Sequence, residues 1–499
     1  MGATTSVTDA AGTRTEYVRD LLDRVVELWR HERPRERYAY DPAGHLVEKR
    51  DANGELLFTV ERDPAGRALH KRLTSGEDHR FRYDAEGRLI EASTPHHTCT
   101  FAYDLAGRCV ADERDGLGVR HRYAGPTLTE TVVLGRFRTK YHALSGGARV
   151  LVDPTGATHR IRSHGRGIFT RDLANGLSET TQYEPRAGRV LAKVLYARDA
   201  PGHAWARRFE YSGEGDLLRV LDSERGLTRY GYDPAHRLTE AHHPDGRTDA
   251  YAYNAAGTLS RSPTLSEATV GQGNQLRSAN GERFEYDARD HLAKRDLGPR
   301  GTVHYDYDSL DQLAVVYWQG ADGKTWGWDA AYDPLGRRIQ KAPGYTRETR
   351  FYWDGDRLAA ELFHDGRVRV YVYPDAFALV PILFIDYACL DADPASGTRY
   401  YVLTDQRGAV ERVLADDGAI VWKARLDPYG YARVEVGQGF HQPLRLPGQY
   451  HDAETGLHYN RFRYYDPVLG RYLQSDPWGL RGGLNVYAYA KNPLVQWDV

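Results

Sequence analysis

The chain has 499 residues, a formal net charge of −2 and a pI near 6.9, so its overall charge favours neither nucleic acid nor an anionic membrane as a partner. Charged residues make up 27% of the chain and mean hydropathy is −0.64, which leaves little apolar mass for a solid core. The cysteines form no Cys-x-x-Cys pair and no disulfide framework; they are Cys99, Cys109 and Cys389.

A motif of the form aromatic-x-Tyr-Asp-x-x-Gly-Arg-Leu recurs along the chain. Self-similarity at a fixed spacing indicates a repeat architecture. Copies of the Tyr-Asp pair, with one Tyr-Asn variant, begin at Tyr40, Tyr83, Tyr103, Tyr232, Tyr253, Tyr286, Tyr307 and Tyr332.

Each motif predicts a tight turn, because Asp at the first position and Gly at the fourth are typical of a type I turn. Plainer turns lie between the motifs, so that a turn ends about every eleven residues. Between turns the aromatic side chains alternate with charged ones, as in Arg80–Tyr83, which predicts half-buried strands. The predicted unit is a β-hairpin of about 21 residues that joins the next as a meander. The early turn ends are Gly44, Gly54, Gly66, Gly76, Gly87, Gly107 and Gly118.

Residues 18–29 allow a second interpretation, since their apolar side chains also fit one face of a helix. However, Asp20–Val25 fits the repeat, with Asp23 in the glycine position and 21 residues before Gly44. We therefore expect strands here.

About 40 strands of this kind cannot form a flat open sheet, because twist accumulates by roughly 20° per strand. The sheet must coil on itself. Since the composition is too polar to fill the coil, we expect an all-β hollow shell with a polar inner surface and a cavity, or a groove if the shell is open.

The longest apolar run, Ala376–Ile385, has ten residues and contains Pro381, so it is too short to span a bilayer. It could be a membrane-active segment or a plug between strands, but a buried core strand is the expectation. Met1 is the single methionine and the turn Asp9–Gly12 follows closely, so we expect the start to be a processed or artificial end of a longer protein.

From about Arg399 the repeat gives way to a more individual sequence. It contains Gly448-Gln-Tyr, Asp466-Pro and Asp476-Pro-Trp-Gly-Leu. These elements resemble the RHS-repeat-associated core that ends bacterial Rhs (rearrangement hotspot) proteins after an array of YD repeats. The YD repeats are also similar to those of wall-associated proteins, toxin-complex C subunits and teneurins. The resemblance divides the chain into a repeat shell, 1–398, and a core, 399–499.

The resemblance implies that the repeats wind into a closed β-cocoon around a C-terminal toxin domain, and that the core seals one end. It also implies an aspartyl-protease-like site that cuts the chain just after the core, an intramolecular and single-turnover activity at most. Carried onto this sequence, the catalytic residues are Asp476, Asp498, Arg463 and Arg471. Two close carboxylates suit this chemistry because one stays protonated while the other activates water.

Two departures from the family pattern bear on this site. The family often has Asp-Pro where this chain has Asp498-Val499, and toxin-complex relatives can carry an Asp where this chain has Tyr464. Position 464 therefore cannot supply a carboxylate.

The resemblance implies a toxin-encapsulating shell, made in the bacterial cytoplasm and exported by a secretion system. Its expected partners are its own toxin domain, delivery components and a chaperone or immunity protein, without nucleic acid and without a membrane span. The alternative is a cell-surface adhesion or carbohydrate-binding repeat protein. No cofactor is expected, and the pairs His96-His97 and His242-His243 are interpreted as surface residues rather than metal ligands.

Overall fold

The computed structural model describes residues 4–30, 32–198, 203–344 and 346–496. These residues form 46 strands and five short 3-10 turns, and none of them is in an α-helix. The described part of the chain accordingly contains no helix of the length and apolarity that a membrane span requires. The all-β prediction is confirmed.

The strands form two large sheets, a two-stranded sheet and a four-stranded sheet. The first large sheet contains β1 Ser6–Thr8, β2 Arg14–Arg19, β3 Val25–Arg30, β4 Arg33–Tyr40, β5 Leu46–Arg50, β6 Leu56–Arg62, β7 Ala68–Leu73, β8 Asp78–Tyr83, β9 Leu89–Ser93, β10 Thr98–Tyr103, β11 Cys109–Arg114, β12 Leu117–Ala124, β13 Thr127–Val133, β14 Phe137–Ala143, β15 Arg149–Val152, β16 Thr158–Ser163, β17 Ile168–Asp172, β18 Leu177–Tyr183, β19 Val190–Ala197, β20 His203–Tyr211, β21 Leu217–Asp222, β22 Gly226–Tyr232, β23 Leu238–His242 and β24 Thr248–Ala250. The small sheet pairs β25 Ala252–Tyr253 with β26 Leu259–Arg261.

The second large sheet contains β27 Ala268–Val270, β28 Leu276–Ala279, β29 Glu282–Tyr286, β30 Leu292–Asp296, β31 Thr302–Tyr307, β32 Leu313–Gln319, β33 Thr325–Tyr332, β34 Arg338–Pro343, β35 Thr349–Asp354, β36 Arg357–Phe363, β37 Val368–Val372, β38 Leu383–Tyr387, β39 Thr398–Thr404, β40 Val410–Leu414, β41 Ile420–Leu426 and β42 Ala432–Val436. The four-stranded sheet contains β43 Tyr450–His451, β44 His458–Asn460, β45 Arg463–Asp466 and β46 Arg471–Tyr472.

Within each sheet every strand pairs antiparallel with its neighbours in sequence, as the meander prediction required. The predicted boundary between the repeat shell and the core, between residues 398 and 399, lies at the start of β39, inside the second large sheet. That sheet ends at β42, and the four-stranded sheet begins at Tyr450.

Hydrogen bonds and cation–ring contacts of the Tyr-Asp motif connect each turn to the next repeat. Asp84 accepts hydrogen bonds from the backbone N–H (2.8 Å) and Nε (2.6 Å) of Arg88, while Gly87 supplies the positive φ of 83°. The Arg88 guanidinium lies 4.9 Å from the ring centre of Tyr103, and the Tyr103 hydroxyl donates to the Leu89 carbonyl at 2.9 Å. The same Asp–Arg–Tyr set recurs in the copies that begin at Asp20, Asp63, Asp104 and Asp233.

The segment with two interpretations folds as strands β2 and β3, and Asp23 occupies the glycine position with φ 65°. One expected turn end is wrong by two residues. The turn between β11 and β12 is Asp115-Gly116, both with positive φ, whereas Gly118 lies in β12. Asp-Gly favours the two-residue hairpin loop that the sequence spacing had not distinguished.

Contacts between residues 182 to 265 positions apart join the first large sheet to the second. Examples are Arg30 with Asp290 (2.9 Å) and Arg207 with Glu411 (2.8 Å). At about eleven residues per strand that separation is roughly 17–24 strands, which is the length of one circuit of the sheet. The sheet therefore winds as a spiral whose successive turns touch.

The spiral leaves more surface exposed than a solid body would. Its accessible area is 23171 Å², compared with roughly 18,500 Å² for a compact monomer of 56.4 kDa. The predicted coiled shell is confirmed.

The inner surface is not polar throughout, which corrects part of the expectation. The largest apolar cluster packs wall residues Val402, Val413 and Trp422 against Tyr459 and Tyr464 of the C-terminal segment. Among the described residues, none before Leu117 belongs to an apolar cluster. Composition averages over the chain, and it could not show that apolar residues concentrate in the later wall and the core.

The prediction for Ala376–Ile385 is also corrected. Only its last residues enter a strand, β38, while Phe377 is 92% exposed. The Asp375 side chain accepts hydrogen bonds from the Phe377 and Ala378 N–H groups (both 2.9 Å), which forms a turn in place of a strand.

Candidate functional site

The residues after β42 lie inside the spiral. They contact wall positions from Asp216, which accepts from Asn492, to Tyr429, whose carbonyl accepts from Tyr465. Contacts between these limits include Tyr487 with the Asp290 carbonyl. Wall positions 216 and 429 are about one circuit of the coil apart. A segment that contacts both of them and positions between them must lie within that circuit. We call residues 437–496 the inner core.

A buried ion pair anchors the inner core to the wall. Arg338, on β34, contacts Asp452 at 2.7 Å, and Lys341 contacts the other Asp452 oxygen at 2.8 Å. The Asp452 side chain is fully buried. The Arg338 guanidinium also lies among aromatic rings, including those of Tyr459 (4.5 Å) and Phe351 (4.8 Å). Neither Arg338 nor Asp452 was singled out from the sequence.

Asp476 lies in a turn that follows β46. Its Oδ1 accepts from the Trp478 N–H (2.8 Å) and its carbonyl accepts from the Gly479 N–H (2.8 Å), as an Asp-Pro-x-Gly turn requires. The Asp476 N–H donates to the Val486 carbonyl at 2.8 Å, which fixes the turn on the inner core. One carboxylate oxygen, Oδ2, remains for other partners.

Arg463 is the predicted arginine that meets this carboxylate. Its Nη2 lies 3.1 Å from Asp476 Oδ2, and both side chains are mostly buried. The Arg463 guanidinium also stacks on Tyr472, 3.6 Å from the ring centre. A guanidinium held on one face by a ring and bonded at its edge has a fixed orientation, so it fixes the carboxylate too.

Arg471, the other predicted arginine, is directed elsewhere. It donates to the Asn274 carbonyl and lies 4.7 Å from the ring centre of Tyr487, and it forms no ion pair with Asp476 in the described part of the chain. It belongs to the contact between the inner core and the wall. Asp498 lies outside the described residues, as does Met1, so the predicted carboxylate pair stays a prediction.

A glycine that the sequence analysis missed packs against the carboxylate. A Cβ on Gly482 would lie 2.4 Å from Asp476 Oδ2. The backbone at position 482 can therefore approach the acid only because it has no side chain. Tyr464, which takes the place of the Asp that the resemblance allows in toxin-complex relatives, is buried and accepts a hydrogen bond from Arg338 at 3.0 Å, so its role is structural.

Asp476 and Arg463 line a cavity of about 970 Å³. Exposed apolar side chains share its lining, among them Trp478 (70% exposed) and Phe462 (55% exposed). The cavity thus combines a carboxylate of fixed orientation with surfaces that suit apolar side chains of a peptide. Among the described residues, no group of three potential ligands could hold a metal ion.

Wall, inner core and cavity define a β-shell of coiled Tyr-Asp repeats with its C-terminal segment packed inside. The chain belongs to the Teneurin YD-shell family, which it matches over residues 213–494. Residues 83–120 also match the RHS Repeat family.

Several curated proteins of bacteria are similar to this chain. Double-stranded DNA deaminase toxin A of Burkholderia cenocepacia is 30% identical, over 97% of this chain and 41% of its own length. Toxin protein Tse5 of Pseudomonas aeruginosa is 31% identical over 84% of this chain and 37% of its own length. Probable deoxyribonuclease RhsA of Dickeya dadantii is 28% identical over 82% of this chain and 30% of its own length. The chain thus spans well under half the length of these relatives.

Two solved structures share the fold. The crystal structure of TcdB2-TccC3-TEV superposes with a TM-score of 0.56 at 17% identity, over 98% of this chain and 31% of that chain. The crystal structure of TcdB2-TccC3 without its hypervariable C-terminal region gives 0.54 at 16% identity, over the same shares.

Proposed function

We propose that this chain is the C-terminal part of the shell of a bacterial toxin protein, and that the shell encloses a toxin domain that follows it. The observation that carries the proposal is the spiral wall with the inner core packed inside it, where wall side chains contact the chain as far as Leu494. The toxin relatives and the toxin-complex structures that share the fold support the same role.

The proposal includes delivery. The shell is made in the bacterial cytoplasm and exported with its cargo, and its partners are that cargo and components of a secretion or toxin-complex apparatus. We favour this role over the adhesion alternative, because Arg88 and Arg237 cover one face of the Tyr103 and Tyr253 rings and both phenols donate to wall carbonyls.

The cavity lined by Asp476 and Arg463 suits a second, chemical role. We propose that it cleaves the peptide chain a few residues beyond Val499. Asp476 accepts a proton from water as the water oxygen attacks the scissile carbonyl, and the Asp498 carboxyl protonates the carbonyl oxygen, which gives a tetrahedral diol. The C–N bond then breaks as Asp476 passes its proton to the leaving amine, and Asp498 takes back a proton from a hydroxyl of the diol as the new carboxyl group forms. Arg463 orients Asp476 and balances its charge. Because the substrate is the protein's own tail, it is present at high effective concentration and each molecule reacts once.

The cleavage is tested in a chain extended at its C-terminus by a reporter domain. We expect Asp476→Asn and Asp498→Asn each to slow release of the reporter by at least about a hundredfold. Asp63→Asn is the matched control, because Asp63-Pro-Ala-Gly forms the same kind of turn in the first large sheet, where its side chain accepts from the Ala65 and Arg67 N–H groups. Equal rates in all variants would identify Asp476 as a turn former only.

Encapsulation is tested separately, in molecules that have already been cut. We expect the reporter to remain with the shell through gel filtration and to resist added protease until urea opens the shell. A reporter that elutes alone and is digested at once would contradict enclosure without bearing on the cleavage chemistry.

A further inference from the structure

The last described residues of the chain form a turn that wall side chains hold from three positions. Asn492 Nδ2 donates to Asp216 Oδ1 at 2.8 Å. Arg407 donates to the Pro493 carbonyl (3.2 Å) and Gln406 to the Leu494 carbonyl (3.3 Å). We call Asp216, Gln406 and Arg407 the terminal clamp.

Contacts within the wall also hold two of the clamp side chains, those of Asp216 and Arg407. The Arg407 side chain is 4% exposed, pairs with Asp405 at 2.8 Å and donates to the Pro428 carbonyl at 2.7 Å. The second oxygen of Asp216 lies 2.7 Å from His236 Nδ1. Asp216 and Arg407 therefore have a set orientation, supplied by turns of two different repeats.

The clamped segment itself is ordered and reverses direction. The Val495 and Gln496 N–H groups both donate to the Asn492 carbonyl, at 3.2 and 3.0 Å. The Leu494 side chain is buried in the large apolar cluster. Just before the turn, Ala490 and Lys491 line the cavity that contains Asp476.

This geometry restricts the next residues of the chain. Asp498 is two residues beyond Gln496, so its Cα lies within about 7 Å of the Gln496 Cα. The turn at 492–496 therefore fixes the point from which the chain continues, shortly after Ala490 and Lys491, which border the Asp476 cavity. A free tail would have no such restriction.

We propose that Asp216 and Arg407 are positioning residues of the cleavage: they hold the turn at 492–496 on the wall and so place the Asp498 carboxyl for reaction. The inference rests on the proposed function. Both residues act through the terminal segment, where a small displacement is enough to separate two groups that must share one proton.

The test uses the chain extended by a reporter. Asn492→Asp places a second carboxylate against Asp216, and the repulsion should displace the turn. We expect release of the reporter to slow by at least about tenfold while the urea midpoint of the shell stays close to that of the parent. Adding Asp216→Asn restores an amide–carboxylate pair with the roles exchanged, and the rate should recover.

Hydrogen exchange of the Val495 and Gln496 amides gives a readout that needs no cleavage. We expect protection in the parent, loss of protection in Asn492→Asp and recovery in the double variant. Amides that exchange freely in the parent would overturn the clamp. An unchanged rate in Asn492→Asp, while Asp476→Asn is inactive, would overturn positioning alone, whereas an active Asp476→Asn would overturn the cleavage proposal and the positioning with it.

Discussion

The wall before Leu117 and the wall after Tyr183 are built from the same repeat, but only the later wall is backed by an apolar core. In the later wall, Val402, Val413 and Trp422 are each at most 2% exposed and pack against the inner core. In the early wall the aromatic side chains are mostly half-buried. The buried apolar side chains among its described residues are Leu57, Val60, Leu73, Ala92 and Cys99.

The difference shows that the repeat specifies strands and turns but not the stability of the wall. The Asp–Arg pairs of the early wall keep 12–35% of their side-chain surface exposed, and ion pairs that solvent can reach contribute about 0–1 kcal/mol each. A fully buried apolar side chain contributes about 1.5–3 kcal/mol. Stability should therefore be concentrated where the inner core meets the later wall, with the early wall dependent on local turns and on contacts between turns of the spiral.

The largest expected effect is at the anchor of the inner core. Asp452→Ala removes the carboxylate that pairs with the buried Arg338 guanidinium, while Lys341 keeps its second partner, Glu454, at 2.7 Å. Breaking a buried pair in this way costs about 3–5 kcal/mol. We expect urea unfolding monitored by tryptophan fluorescence to show this loss.

The matched variant lies in the early wall. Glu91→Ala breaks the exposed pair with Arg82, and we expect a loss of less than about 1 kcal/mol. If the two variants lost the same stability, the proposed contrast between the walls would be wrong.

Much of this contrast between the two walls could not be predicted from the sequence, although the repeat itself could. Tyr-Asp-x-x-Gly predicts the turns because each step is local: the Asp side chain caps the turn and glycine adopts the positive φ. For the same reason Asp23, in the glycine position, correctly indicated a turn within a segment that also matched a helix.

The contacts that order the inner core could not be predicted, because they join residues far apart in sequence. Arg338 and Asp452 are 114 residues apart, and their meeting depends on how tightly the spiral winds. For a related reason, the sequence left open whether Arg463 or Arg471 contacts Asp476. Both lie on short strands of one small sheet, and only the fold shows that Arg463 faces Asp476 while Arg471 faces the wall at Asn274.

Acid should weaken the inner core through a buried histidine pair. The His451 and His458 ring centres are 5.4 Å apart, and His458 Nδ1 bonds Gln449 at 2.8 Å. Burial lowers the pKa of His451 to about 3 and that of His458 well below its usual value, and Arg445 acts in the same direction on both. Around His451, Asp452 opposes the shift, while the more distant charges add to it; these are Lys341 and His441.

The direction in which stability changes with pH follows from proton uptake by the two histidines. The folded state holds both rings neutral, whereas the unfolded chain binds protons below about pH 6.5, so this stability is present above that pH and is lost as pH falls toward 3. The slope is up to about 1.4 kcal/mol per pH unit for each histidine. We expect urea midpoints measured between about pH 7.5 and 5 to fall. His458→Gln should reduce the slope, and His242→Gln, on the exposed face of β23, should leave it unchanged.

The smallest expected effects are at single turns of the early wall, where no core compensates for backbone strain. Asp23 has φ 65° and Gly44, one repeat later, has φ 92° with open space around it. Asp23→Gly removes the strain of a non-glycine residue in the left-handed region, while the greater backbone entropy of glycine in the unfolded chain offsets part of this. We expect a net gain in stability of about 0.5 kcal/mol. Gly44→Asp imposes that strain and should cost about 1 kcal/mol. Because these changes are local, hydrogen exchange of the amides in β2–β5 is the appropriate measurement, and we expect protection to rise in the first variant and fall in the second. Shifts of equal size in the later wall would mean that the two walls unfold as one unit, and that the inner core stabilises the early wall through the contacts between spiral turns.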